Sequence, residues 1–244
     1  MKRYDRLLDG VCAVVSSAGD VCGNEIVKKL ALQGASVGYG VSDRAIGESI
    51  LSEIKSISPC SFYQVTDLAD SKAVESFCVC VKRRFPFTAV LVNHPYADWL
   101  PGIAQYHEEQ VIRQLQVTQR SVMQTMRAFF GPMIENRNGS IINISSNAVY
   151  KTYLSRPFMT LSMGTIGGLT RAAACEGGEY NVRVNELLSG VRAGHRTLLQ
   201  QQQPDASDAS SVADVVLFLA SEMSSYITGA SITVDGGASR QLHG

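Results

Sequence analysis

Residues 145–165 read SSNAVYKTYLSRPFMTLSMGT, where hydroxyl, phenol and cationic side chains crowd ahead of two methionines. Ser146 can donate a hydrogen bond to a carbonyl oxygen, although a serine without an aligned base is a weak nucleophile. A cation beside a phenol lowers its pKa from about 10. Tyr153 with Lys151 or Arg156 is therefore a candidate acid, and Tyr150 is a second phenol in the same loop. The competing reading is a solvated loop whose tyrosines and basic residues serve packing and solubility. Met159 and Met163 lie one helical turn apart and carry thioethers, which neither donate a proton nor hold charge, so the pair reads as apolar packing that can floor a pocket. His94 can act as an acid or base near pH 7, or be a plain loop histidine before Pro95. Glu186 and Arg192 admit an ion pair, a substrate clamp or two surface charges.

These residues need elements to hold them. Seven short β-branched runs bounded by turn residues predict strands: 11–15, 36–41, 61–65, 89–93, 140–145, 182–187 and 231–235. Between them the apolar residues recur at helical spacing, as in Val111, Leu115, Val122, Met126, Phe129 and Met133. Alternating strands and helices predict an α/β fold: one Rossmann-like, doubly wound domain over residues 1–244, with a seven-stranded parallel sheet. Such sheets bind ligands at the carboxyl ends of their strands, so His94 and Ser146 fall where chemistry is expected.

Composition narrows the partners. The 22 basic and 22 acidic residues cancel and are scattered, which leaves no electrostatic footprint for nucleic acid or an anionic membrane. No apolar run reaches the length of a membrane span and the first residues lack the apolar core of a signal peptide, so the expectation is a cytoplasmic protein. The six cysteines lack paired metal-site spacing, and no metal is expected.

The segments NGSIINISS (138–146), GTIGGLTRAAACEGGEYNVRVNELLSG (164–190) and VLFLASEMSSYITGASITVDGG (216–237) resemble the short-chain dehydrogenase/reductase family, in particular the 3-oxoacyl carrier-protein reductase type. The resemblance covers nearly the whole chain. It aligns Gln116, Ser146, Met159 and Met163 with the family's catalytic Asn, Ser, Tyr and Lys. It places Ser17, Val21 and Gly23 at the three glycines of the phosphate loop, so only Gly23 matches there. Tyr96 takes the place of a glycine beside the cofactor ribose, with Asn93 at the start of the same motif, and the contacts to the nicotinamide become Ser189, Gly190 and Gly194. Asp67 matches the adenine-contacting Asp, and Val41 brings no acid to demand NAD over NADP.

Losing a positioned acid forfeits roughly a hundred- to ten-thousand-fold in rate. The expectation is therefore a degenerate homologue, a pseudoenzyme not performing NAD(P)H-dependent carbonyl reduction. No cofactor is expected, with NADP(H) weak at best and Gly23, Asp67 and Asn93 as remnants. It would serve as an assembly or regulatory subunit, in a homo-oligomer or with an active homologue, through helices about 106–134 and 153–178. The alternative is a rebuilt non-redox enzyme, a cyclase, isomerase, lyase or dehydratase, acting on a small or carrier-bound substrate. Its catalytic candidates are Ser146, Tyr153 and His94, in a pocket of Tyr96, Gln116, Met159 and Met163. A third reading is a weak oxidoreductase that takes its proton from water or from Tyr153.

Overall fold

β-branched and small apolar residues place seven strands where the sequence puts them: β1 (Cys12–Ala18), β2 (Ser36–Val41), β3 (Phe62–Val65), β4 (Val90–Asn93), β5 (Gly139–Ser146), β6 (Val182–Ser189) and β7 (Ser231–Val234). The computed structural model describes residues 6–98, 100–150, 157–190 and 206–240. Every pairing is parallel, in the order β3-β2-β1-β4-β5-β6-β7. Strand order reverses between β1 and β4, which opens a crevice where their carboxyl ends diverge. β5 is buried along its whole length, as a strand covered by helices on both faces must be.

The helices are α1 (Val21–Leu32), α2 (Arg44–Ile54), α3 (Ser71–Arg84), α4 (Glu108–Leu115), α5 (Ser121–Glu135), α6 (Pro157–Gly177) and α7 (Ala206–Ala220). Three start on an aspartate whose carboxylate accepts from the first turn: Asp20 for α1, Asp43 for α2 and Asp70 for α3. One core cluster joins the apolar faces of α1, α2 and α7 to the sheet, and a second joins those of α3, α5 and α6. The helix expected over 106–134 is interrupted: a π-helical turn at Gln116–Arg120 separates α4 from α5. A buried polar chain ties the sheet centre to its helices. Thr125 Oγ1 donates to Asn93 Oδ1 at 2.6 Å, Asn93 Nδ2 to Asn143 Oδ1 at 2.8 Å, and Asn143 Nδ2 to Thr170 Oγ1 at 3.0 Å.

No helix among the described residues is long and apolar enough to cross a membrane, and no cluster of three or more potential metal ligands occurs among them.

Candidate active site

The turn from β1 into α1 decides whether a phosphate group can approach. Within residues 16–23 only Gly19 has its φ in the left-handed region, at +124°. Glycine is needed at a second place, Gly23, where a Cβ would lie 2.8 Å from Ala18 Cα and 2.9 Å from Ser17 O. Both positions are glycine. Ser17 and Val21 take ordinary backbone angles, and the Val21 side chain is 57 % exposed. Ser17 and Val21 therefore impose no left-handed strain on the turn, and the two positions where the fold itself disfavours a Cβ are both glycine. Asp20 Oδ1 accepts from Gly23 N at 2.7 Å and Asn24 Oδ1 from Gly19 N at 2.9 Å, which fixes the loop on the helix N-terminus, a place suited to anions.

His94, just past β4, faces this loop and is 8 % exposed. Its backbone N–H donates to Ser16 Oγ at 2.9 Å, its Nδ1 lies 3.2 Å from Ser17 O, and its Nε2 lies 3.7 Å from Asp20 Oδ2. Burial alone would lower the imidazole pKa, but the Asp20 carboxylate, the nearby Cys22 sulfur and the Ser17 carbonyl outweigh it, and the pKa is pushed up to about 10. Nδ1–H donating to a carbonyl and a carboxylate beyond Nε2 both favour the protonated ring. Its partners are those of the first loop, and no hydrogen bond joins it to Ser146 among the described residues.

Asp67 follows β3 and pairs with Arg113 of α4 at 3.2 Å, while its Oδ1 accepts from Ala69 N at 2.9 Å. The Tyr96 phenol lies within electrostatic reach of the same guanidinium and of Asp67, at the end of the crevice where the resemblance places the adenine. Asn93 is fully buried in the polar chain between β4, β5 and α5, where it braces the strand.

Ser146 ends β5, is 8 % exposed, and its Oγ accepts from Ala148 N at 3.2 Å. Asn147 Nδ2 donates to Asp235 Oδ2 at 3.0 Å, joining the loop after β5 to the one after β7. Met159 and Met163 both lie on α6, Met159 half-buried and Met163 buried, and Ser145 Oγ donates to the Met163 carbonyl at 3.2 Å. Gln116 opens the π-helical turn and is half-buried. Glu186 is buried within β6 and accepts from Ser231 Oγ at 2.5 Å, so it belongs to the sheet rather than to a strand end. Lys151, Tyr153, Arg156, Arg192 and Gly194 lie outside the described residues.

Three residues here carried no role in the sequence reading. Asp20 was legible as an N-cap three residues before Gly23, and Arg113 needed the fold to meet Asp67. Gln114 is the third: its Nε2 donates to Phe158 O and Ser162 Oγ, both at 3.0 Å, and its buried Oε1 accepts from no described residue. It fastens α4 to the first turns of α6, which carry both methionines.

Residues 20–239 match the family described as enoyl-(acyl carrier protein) reductase. Galactitol 2-dehydrogenase (L-tagatose-forming) of Cereibacter sphaeroides is 30% identical, over 94% of this chain and 95% of its own. A 3-alpha-(or 20-beta)-hydroxysteroid dehydrogenase of Mycobacterium tuberculosis is also 30% identical, over 94% and 90%. Among solved structures, a short-chain dehydrogenase/reductase from Serratia marcescens superposes with a TM-score of 0.84 at 26% identity, covering 95% of this chain and 99% of that one.

These matches correct the functional expectation. The pseudoenzyme, the assembly or regulatory subunit and the rebuilt non-redox enzyme all presuppose a chain that has left its family's chemistry, whereas it aligns almost end to end with dehydrogenases. The expected lack of a cofactor is overturned with them, and the turn is compatible with that: Ser17 and Val21 take ordinary backbone angles, and Gly19 and Gly23 are kept where the backbone disfavours a Cβ.

Proposed function

The chain belongs to the short-chain dehydrogenase/reductase family, and on that premise we propose that it is an NAD(P)-dependent oxidoreductase interconverting a secondary alcohol and its ketone. The observation that carries this reading is the first-strand loop, with glycine at the two positions whose geometry demands it and a capped helix N-terminus at the reversal of strand order. The substrate class follows the relatives, whose names describe oxidation at secondary hydroxyls of a polyol and of a steroid.

The residues present fit a dinucleotide. The β1–α1 turn, shaped by Gly19 and Gly23, and the N-terminus of α1 would receive its diphosphate, and Asp67 with Tyr96 and Arg113 its adenine end. When bound, the nicotinamide supplies or accepts the hydride. Ser146 Oγ donates to the substrate carbonyl oxygen and fixes the carbonyl for attack. Met163 and the half-buried Met159 line the pocket with apolar surface, which keeps water from the reacting carbon.

We read the chain as a divergent member, because Met159 and Met163 stand where the family carries its Tyr and Lys. The proton for the nascent alkoxide then comes from another hydroxyl, and Tyr153 is assigned that role. The proton of its phenol O–H passes to the alkoxide oxygen, leaving a phenolate that solvent reprotonates, and oxidation runs the same steps in reverse. Assembly as a homo-oligomer through α4, α5 and α6 completes the proposal, since Ile112, Met123 and Leu161 are all exposed on them.

Turnover of NADH and NADPH with cyclic and polyol ketones, and of the oxidised nucleotides with the matching alcohols, tests the reading. Activity is expected, falling about a hundred- to ten-thousand-fold in Tyr153→Phe and only a few-fold in Tyr150→Phe. Turnover indifferent to Tyr153→Phe would remove that residue from the mechanism, and a folded protein turning over no alcohol or ketone would contradict the proposal.

A further inference from the structure

Asp20 poses a problem for any dinucleotide site at the β1–α1 turn. Its carboxylate is fixed at the N-terminus of α1 by the bond from Gly23 N, where the anion-attracting end of the helix is directed. A diphosphate arriving there would meet a like charge at close range. We propose that His94 is the counter-charge of this site, neutralising Asp20 so that an acidic loop can accept the diphosphate of a dinucleotide.

The inference rests on the oxidoreductase reading and adds a determinant of binding to it. Geometry carries it: Nε2 lies 3.7 Å from Asp20 Oδ2, and Nδ1 is engaged with Ser17 O at 3.2 Å, so the ring cannot turn away without giving up a hydrogen bond. The backbone N–H to Ser16 Oγ pins the residue to the same loop from the β4 side. The titratable side chains acting on the ring are Asp20, in the turn, and Cys22, in the first turn of α1. A buried imidazolium would be unstable by itself, and a lone carboxylate would repel the ligand. Together they leave the loop close to neutral, so the helix N-terminus and the backbone N–H groups can act on the phosphates. The upward shift of the imidazole to about 10 agrees with a charge retained throughout the neutral range.

The test is a double-mutant cycle read by calorimetric titration with NADH, supported by a pH series on the unmodified protein. His94→Gln should weaken NADH binding about tenfold or more, which is about 1.4 kcal/mol per factor of ten. In an Asp20→Asn background the same substitution should cost less than threefold. For the unmodified protein, NADH affinity should stay level from pH 6 to 9; NADH suits this series because it lacks the 2′-phosphate of NADPH, which would titrate near pH 6. The pH series needs no variant to fold. Equal losses in the two backgrounds, or an affinity that falls with an ordinary histidine midpoint near 6.5, would overturn the counter-charge. An unmodified protein that binds neither NADH nor NADPH would overturn the oxidoreductase reading itself, and this inference with it.

Discussion

His94 couples folding to pH with a definite sign. Its pKa in the folded chain is about 10, above the ordinary 6.5, so its contribution to stability is complete below pH 6.5 and is lost as pH rises through 10. Denaturant melts across pH 6.5–10 should show stability declining, and His94→Gln should flatten that decline; an unchanged slope would assign it to other groups. Gln114 offers a second residue-level test. Gln114→Leu strips Phe158 O and Ser162 Oγ of their donor and should cost about 1–3 kcal/mol in thermal unfolding. Its orphaned Oε1 keeps the cost toward the lower end, because the substitution also removes an unsatisfied buried acceptor. Of the residues named from sequence, Ser146 is placed at a strand end as expected, whereas His94 belongs with Asp20 and Ser17. Spacing could not reveal that, since His94 and Ser17 are joined only when β1 and β4 pair side by side.

At the scale of elements, the β1–α1 turn separates what a motif records from what a backbone requires. Gly23→Ala sets a Cβ against the backbone of Ala18 and Ser17. It should lower stability by about 1–3 kcal/mol and weaken dinucleotide binding more than tenfold. Val21→Gly, by contrast, should leave the affinity within a few-fold, because that side chain already points to solvent. Paired titrations of the two variants check this, and a large gain from Val21→Gly would show that the valine does obstruct the site. All seven strands were legible within a few residues, because β-branched runs between turn residues leave few alternatives. The break in the long helix was not. Apolar periodicity runs through Gln116–Arg120 without a glycine or proline to mark the π-helical turn, which the Gln114 contacts to α6 accompany. Of the family's three glycine positions, the backbone itself needs glycine only at Gly23; the other needed glycine, Gly19, falls outside that pattern, which spacing could not show.

At the scale of the molecule, a doubly wound sheet with its order reversal between β1 and β4 collects the β1–α1 turn, His94, Ser146 and Asp67 along the carboxyl ends of the strands. The same architecture leaves apolar side chains on the outer faces of α4, α5 and α6, so light scattering at micromolar concentration should report a dimer or tetramer, and a monodisperse monomer would count against that assembly. The central claim is that this crevice holds a nicotinamide dinucleotide despite Met159 and Met163. Calorimetric titration of the purified protein with NADH and NADPH measures it most directly. The account predicts a dissociation constant for at least one of them on the order of micromolar, about 8 kcal/mol of binding free energy. Millimolar or undetectable binding of both would contradict it.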